Sequence, residues 1–279
     1  MNVSQRFDVT GFGVVVTGGA SGLGLAYGEV LAAHGARVTL IDVDGEAVER
    51  QRARLQAEGL DVRASSADVT DRAALDFAID EAAEQYGRLD VAFANAGIDP
   101  GVGPFGTWPT HPGTERARVE EGALERYSDQ RWHRVIEVNL NGVFATARAA
   151  ARHMRPRRFG RIIITTSLAA TKVEPAIGAS YMTAKAGARH YMRTIALELA
   201  ADGVTANAIA PGFFVTNIGG GHAHDPDEQA AIAKDIPMHR VGFPDDIKAL
   251  ALFLASPASD YITGQEIVID GGWGLGIAD

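Results

Sequence analysis

No cysteine occurs among the 279 residues of this chain. Its absence excludes a disulfide framework, a thiol nucleophile and a thiolate metal site. Long apolar runs are also missing, none approaching the ~20 residues that cross a bilayer. The polar stretch from Met1 to Asp8 lacks the apolar segment of a secretory signal. Positive charge is in deficit, with 26 Lys and Arg against 35 Asp and Glu and a net charge of −9. That balance argues against a nucleic-acid partner, whose backbone is bound by cationic contacts. No low-complexity segment or long linker divides the chain. What remains reads as a soluble, cytoplasmic protein without a membrane association. Its 46% hydrophobic content can build a large core, and one domain over residues 1–279 is expected.

Short apolar runs alternate with longer segments of helical period. Val14 to Val16, Ala36 to Ile41, Leu89 to Phe93, Arg161 to Thr165, Val204 to Ile209 and Glu266 to Ile269 read as strands. They are near-continuously apolar or β-branched, as strands buried on both faces of a parallel sheet are. Leu23 to His34, Asp44 to Glu58, Asp71 to Tyr86, Asp129 to Met154, Ser180 to Ala201 and Pro244 to Leu254 carry helical patterns. In the fifth, Met192, Ile195, Ala196 and Leu199 form an apolar stripe, and Gly203 provides a stop signal. The alternation predicts an α/β fold, a doubly wound parallel sheet with helices on both faces. Ligands of such sheets sit beyond the carboxyl ends of the strands.

The first strand runs into Thr17-Gly18-Gly19-Ala20-Ser21-Gly22-Leu23-Gly24 and then a helix. Strand, glycine-rich turn and helix form the context in which a backbone approaches a pyrophosphate, with free N–H donors at the helix start. Asp42 follows, 18 residues beyond Gly24, at the end of the second strand. A carboxylate there can accept hydrogen bonds from ribose hydroxyls and repel a 2′-phosphate. With no Arg or Lys in the loop or immediately after Asp42, NAD is expected over NADP. Asp44 is better suited than Asp42 to cap the next helix.

Tyr181 and Lys185 are four residues apart within a helical pattern, so they share one face, about 5–6 Å apart at Cβ. A phenol of ordinary pKa ~10 is almost fully protonated at neutral pH. A neighbouring ammonium favours the phenolate and moves the group toward acid–base use. Alone, such a pair arises readily by chance on an Ala-rich helix. Its company gives it weight.

Taken together, these motifs resemble the short-chain dehydrogenase/reductase family along most of the chain. Thr17 to Gly24 has the pattern of that family's cofactor loop, with Gly18, Ser21, Gly22, Leu23 and Gly24 as contacts. Asp68-Val69 stands where the family sets an acidic residue against the adenine. Asn95-Ala96-Gly97 matches the motif that supports the sheet beside the cofactor. Asn139, Ser167, Tyr181 and Lys185 match the family's catalytic tetrad. Pro211-Gly212, with Phe214 and Thr216, resembles the segment that holds the nicotinamide carboxamide. The tail from Arg240-Val241-Gly242 through Thr263-Gly264-Gln265 to Asp270-Gly271-Gly272 is also similar. The resemblance implies a Rossmann sheet of about seven strands and hydride exchange between NAD and a secondary alcohol or ketone. It assigns proton transfer to Tyr181, its tuning and a ribose contact to Lys185, the substrate oxygen to Ser167 and a water anchor to Asn139. It also implies a homotetramer, built partly on the Asp129 to Met154 and Ser180 to Ala201 helices. Val135, Val138, Phe144 and Ala145 offer apolar surface for that contact. No metal is expected, although His222-Ala223-His224-Asp225 could be read as a ligand cluster.

Two departures from the family pattern stand out. Tyr181 follows Ser167 by 14 residues, one more than the commonest spacing, and Thr166 is an alternative to Ser167. The segment 98–128 is a long insertion, rich in Pro and Gly, expected near the substrate mouth or at a subunit contact. A second mobile element, 212–238, with Gly219-Gly220-Gly221, reads as a substrate lid. Phe213, Ile218 and Trp108 are candidate substrate contacts. Three other activities stay open: an NADH-dependent ketone or quinone reductase, a lyase or epimerase retaining its NAD, and a non-catalytic dinucleotide-binding regulator or scaffold.

Overall fold

The computed structural model describes residues 2–98, 101, 103 and 119–276. The apolar runs become strands β1 (Gly13–Thr17), β2 (Arg37–Asp42), β4 (Val91–Ala94), β5 (Gly160–Thr165), β6 (Val204–Pro211) and β7 (Glu266–Ile269). One further strand, β3 (Val62–Ser66), was not expected. It lies at the sheet edge and alternates a buried Val62 with polar Arg63, Ser65 and Ser66, so it carries no apolar run. The order is β3-β2-β1-β4-β5-β6-β7, parallel throughout.

Neighbouring residues of the central strands face opposite ways, and both directions are apolar. Val15, Ala92, Ile162, Ile164, Ala206 and Ala208 join the core under α3 (Arg72–Tyr86), α5 (Gly142–Met154) and α6 (Ala179–Leu199). Val14, Val16, Val91, Phe93, Ile163 and Ile209 join the core under α1 (Gly22–Ala33) and α8 (Pro244–Ala255). A strand covered on both faces needs no polar alternation, which is why these runs read continuously. The helix α2 (Gly45–Ala57) begins at Asp44, whose Oδ1 accepts the Ala47 N–H at 2.9 Å, as its position suggested. The α6 helix ends as expected near Gly203, which takes φ 73° after a short 3₁₀ turn.

The segment 129–154 departs from a uniform helix. α4 (Asp129–Ile136) and α5 are joined by a π-helical turn over Glu137–Asn141, and Asn139 sits within it. Such turns are frequent at functional sites. The apolar residues proposed as surplus on this segment are not surplus. Val135, Val138 and Ala145 are buried inside the protomer, while half-buried Phe144 packs edge-on against Tyr191.

The polypeptide after β6 forms its own small core. A 3₁₀ stretch (Ile218–His224) and α7 (Pro226–Ala233) gather Val215, Ile232, Ile236 and Val241 around Trp273 and Leu168. The helix α7 was not expected. Among the described residues, no helix is long and apolar enough to cross a membrane.

Candidate active site

The sheet reverses its direction of build between β1 and β4, so the loops after these strands diverge and leave a crevice at their carboxyl ends. A cavity of about 720 Å³ lies there. Its nucleotide-facing candidates are the glycine loop (Gly18, Ser21, Gly22, Leu23), Asp42, Asp68, Val69 and Asn95-Ala96-Gly97. Pro211, Gly212, Phe214 and Thr216 line it from the β6 side. Gly24 does not line it. A Cβ at Gly24 would stand 2.0 Å from the Gly18 carbonyl oxygen and 2.5 Å from Asn95 Nδ2, so its bare Cα lets α1 seat against the loop.

Hydrogen bonds fix the crevice from below. Thr17 Oγ1 donates to the Phe93 carbonyl at 3.1 Å and accepts from the Asn95 and Ala96 N–H groups. Asn95 Nδ2 donates to the Thr17 and Gly18 carbonyls, and its Oδ1 accepts from Thr165 Oγ1 at 3.0 Å. One side chain therefore ties β1, β4 and β5 together beneath the loop. Asp42 Oδ2 accepts the Ala20 N–H at 3.0 Å, and Oδ1 accepts the Asp44 N–H at 3.1 Å. Asp68 has competing influences. Partial burial pushes its carboxyl upward, but the Thr70 N–H and hydroxyl, each 2.8 Å from Oδ1, with Arg134 at 3.6 Å from Oδ2, hold it below the usual carboxylate range.

At the other end, Ser167, Tyr181 and Lys185 line the same cavity. Lys185 is buried, and its Nζ lies 5.5 Å from the Tyr181 ring centroid. Nζ donates to the Thr165 carbonyl at 2.8 Å, joining α6 to the end of β5. Burial pushes the Lys185 ammonium down to about 8. Asn139 is fully buried just outside the cavity wall. Its Nδ2 donates to the Val135 and Ile98 carbonyls and its Oδ1 accepts the Ile98 N–H. A Cβ on Gly97 would lie 2.7 Å from Asn139 Oδ1 and 3.6 Å from Lys185 Nζ, so Gly97 brings the two side chains close.

The additional residue between Ser167 and Tyr181 is absorbed without disturbing this arrangement. Ser167 is extended and caps a 3₁₀ turn (Leu168–Ala170), and the chain turns again at Glu174 to Ile177 before α6 begins. Thr166, the alternative, commits its hydroxyl to the Ile209 carbonyl at 3.1 Å and Glu266 Oε1 at 2.7 Å.

Phe213 and Ile218 line the cavity, whereas Trp108 lies outside the described residues, as does most of the segment 98–128. The described parts of that insertion meet the site. Gly101 lines the cavity, the Gly103 N–H donates to the Ala176 carbonyl at 3.0 Å, and Tyr127 shares a 2.6 Å hydrogen bond with Ser180. In the sequence His222 to Asp225, the His222 side chain is not among those described. His224 bonds Asn217 and Asp225 caps α7. Sequence reasoning missed Glu174, Ala176, Ile177, Glu228 and Trp273, all of which line the cavity. A signal for Trp273 was available, since it directly follows Asp270-Gly271-Gly272. Glu174 gave none beyond being a lone acid beside Pro175.

A doubly wound sheet with its cavity at the switch point, floored by a glycine loop, defines a Rossmann-type α/β protein. A family model described as enoyl-(acyl carrier protein) reductase matches residues 18–274. The chain is 35% identical to 3beta-hydroxysteroid dehydrogenase 1 of Eggerthella lenta, over 96% of this chain and 95% of that protein. It is 36% identical to galactitol 2-dehydrogenase (L-tagatose-forming) of Cereibacter sphaeroides, over 98% and 99%. Among solved structures, a gluconate 5-dehydrogenase from Burkholderia cenocepacia in complex with NADP and tartrate superposes with a TM-score of 0.84. It is 31% identical and covers 98% of this chain and 99% of that one. The chain belongs to the short-chain dehydrogenase/reductase family.

Proposed function

We propose that the protein is an NAD-dependent oxidoreductase that interconverts a secondary alcohol and a ketone, with Tyr181 as the acid–base group. One observation carries this reading: Ser167, Tyr181 and Lys185 line the same cavity as the glycine loop and Asp42. The residues fit a nicotinamide dinucleotide. Gly18 to Leu23 would hold the pyrophosphate, Asp42 the adenosine ribose, Asp68 and Val69 the adenine, and Pro211 to Thr216 the carboxamide. Once bound, the nicotinamide supplies or accepts the hydride.

The chain's own groups handle the proton. Tyr181 as phenolate takes the hydroxyl proton of the alcohol, and as phenol returns one to the ketone oxygen. Lys185 supports the phenolate through its positive charge. Ser167 holds the substrate oxygen and stabilises the charge that develops on it. Asn139 and Lys185 form the route by which protons reach bulk water. NAD over NADP rests on Asp42. Among the described residues lining the cavity the cations are Arg134 and Lys185, and Arg134 stands against Asp68. The Burkholderia relative holds NADP, so this preference is argued from this chain's own carboxylate. A homotetramer and a cytoplasmic site of action belong to the same reading, as does closure of 212–238 over the substrate.

Positioned acid–base groups contribute roughly 10²–10⁴ in rate. Tyr181→Phe should therefore lose at least about 100-fold in kcat on a secondary alcohol while NADH still binds, measured by nucleotide fluorescence. Near-normal turnover in that variant rejects the assignment.

A further inference from the structure

Two successive residues at the end of β5, just before Ser167, are tied to α6. Lys185 Nζ takes the first by donating to the Thr165 carbonyl at 2.8 Å. The second tie runs through Glu266 of β7. The Thr166 hydroxyl lies 2.7 Å from Glu266 Oε1, and Arg189 Nε of α6 stands 2.6 Å from Oε2 in an ion pair. The strand register lets the carboxylate reach this far. Glu266 pairs with Ala208, which belongs to the core under α6 and presents only a methyl. Ala208 pairs in turn with Ile164, two residues before Thr166 and therefore on the same face of β5. Glu266 crosses β6 at this small residue. Its side chain is 5% exposed, and Thr166 is buried.

The Thr166 hydroxyl has one proton and two acceptors in reach. The Ile209 carbonyl, 3.1 Å away, already accepts the Thr166 N–H at 2.8 Å. The carboxylate is nearer, and a charged acceptor makes a bond roughly twice as strong as a neutral one. The proton therefore goes to Glu266. At the next residue, Ser167 Oγ accepts the Ala169 N–H at 3.1 Å, which leaves its own proton for a substrate oxygen. Arg189 follows Lys185 by four residues and Tyr181 by eight, so the anchor of Glu266 continues the helix face of the acid–base pair. Glu266 is not among the described residues that line the cavity, so its effect on the reaction passes through Thr166.

We infer that Glu266 is a positioning residue for Ser167. By joining Arg189 of α6 to Thr166 it fixes the spacing between the Ser167 hydroxyl on the strand end and Tyr181 with Lys185 on the helix. The role of Ser167 here rests on the proposed alcohol–ketone reaction. Misplacement on the order of 1 Å can cost about 100-fold in rate. Ser167 stabilises charge that develops in the transition state, so the loss falls on kcat rather than KM.

The test compares Glu266→Leu, Thr166→Val and Thr166→Ser in the whole chain with NADH bound. Hydrogen exchange over residues 165–171 reads the position of Ser167 without turnover, because the Ala169 and Ala170 N–H groups bond its Oγ and carbonyl. Exchange there should rise at least tenfold in Glu266→Leu and Thr166→Val, with NADH affinity within twofold of native as the sign of a folded protein. Thr166→Ser should behave as native. The second readout is oxidation of 2-octanol, cyclohexanol and galactitol with NAD. On any of these that the native enzyme oxidises, kcat should fall at least tenfold in the first two variants, with KM within twofold. Adding Thr166→Val to Glu266→Leu should cost less than a further twofold, since both cut one link. An ion pair that only stabilises the fold would lower the thermal midpoint and leave local exchange and kcat as in the native protein. That result overturns the proposal, as does a Thr166→Val loss that is fully additive. If the native enzyme oxidises none of the three, exchange alone decides the positioning, and the alcohol–ketone reading is what fails.

Discussion

Asp42 and Glu174 are both carboxylates on the wall of one cavity, yet the fold treats them in opposite ways. Asp42 accepts backbone N–H groups from Ala20 and Asp44. Glu174 accepts no hydrogen bond from a described residue and has only an ionic contact with Lys172. The contrast extends to the surroundings. The nucleotide end is made of strand ends and backbone, with Thr17 and Asn95 holding β1, β4 and β5 in register. The far end is made of side chains on 3₁₀ turns, a short helix and an insertion. One end is satisfied by the protein itself and rigid. The other holds its buried carboxylate through a lysine on an irregular turn rather than through backbone N–H groups at strand ends.

The strongest challenge to this contrast is a side chain forced into the rigid end. Gly24→Val would place atoms against the Gly18 carbonyl, where even a Cβ has only 2.0 Å. Backbone cannot yield as a flexible side chain can, so the cost should reach ~3 kcal/mol or more. NADH affinity should fall by about 100-fold or more, with the fold itself lost at the extreme; fluorescence titration and circular dichroism would read both. A tolerant Gly24 would mean that the loop is softer than its hydrogen bonds indicate.

This contrast also explains what could be read in the sequence. Six of the seven strands are apolar runs, because the sheet is buried on both faces. The edge strand β3 is not one, and its Arg63 and Ser65 concealed it. The glycine loop, Asp42 and the Tyr181–Lys185 pair were legible because their chemistry depends on fixed spacing along a strand, a turn or a helix. The π-helical turn at Asn139 was not, since an added residue in a helix leaves no compositional mark. Glu174 and Trp273 were hidden for another reason. They reach the cavity through irregular turns, where position in space is decided by packing far away in sequence.

Lys185 joins the two ends, and its burial can be read as a pH dependence. In the folded protein its ammonium is pushed down to about 8 from an ordinary 10.5. Below pH 8 the fold bears the full cost of an enclosed charge, on the order of 3 kcal/mol. Between pH 8 and 10.5 the folded form releases the proton first, so stability rises with pH through that window. Lys185→Met removes the charge, so its stability relative to the native apo-protein should be highest near pH 7 and decline by pH 10. Urea midpoints at both pH values would show it, because other titrating groups cancel in the difference. A pH-independent difference would mean that Lys185 is hydrated.

Next in size is the nucleotide preference. Hydrogen bonds to a charged group contribute about 1.5–3 kcal/mol. Asp42→Ala should weaken NADH by about tenfold and improve NADPH, narrowing the ratio between the two from both sides. If the native protein binds NADPH as well as NADH, Asp42 does not select.

The smallest effect sharpens the comparison most, because it separates neighbours. Asp44 lies two residues beyond Asp42 and also accepts a backbone N–H, that of Ala47 at 2.9 Å, but as the cap of α2 and away from the cavity wall. Replacing a capping Asp by Ala costs about 1 kcal/mol. Asp44→Ala should therefore lower the thermal midpoint by about 2 °C and leave the NADH-to-NADPH ratio where it was. Asp42→Ala should move both, since the Ala20 and Asp44 N–H groups lose their acceptor, and of the two variants it alone should move the ratio. Were both variants to shift the two measures alike, the carboxylate at 42 would be a structural group like its neighbour, and the nucleotide end would owe its selectivity to the backbone alone.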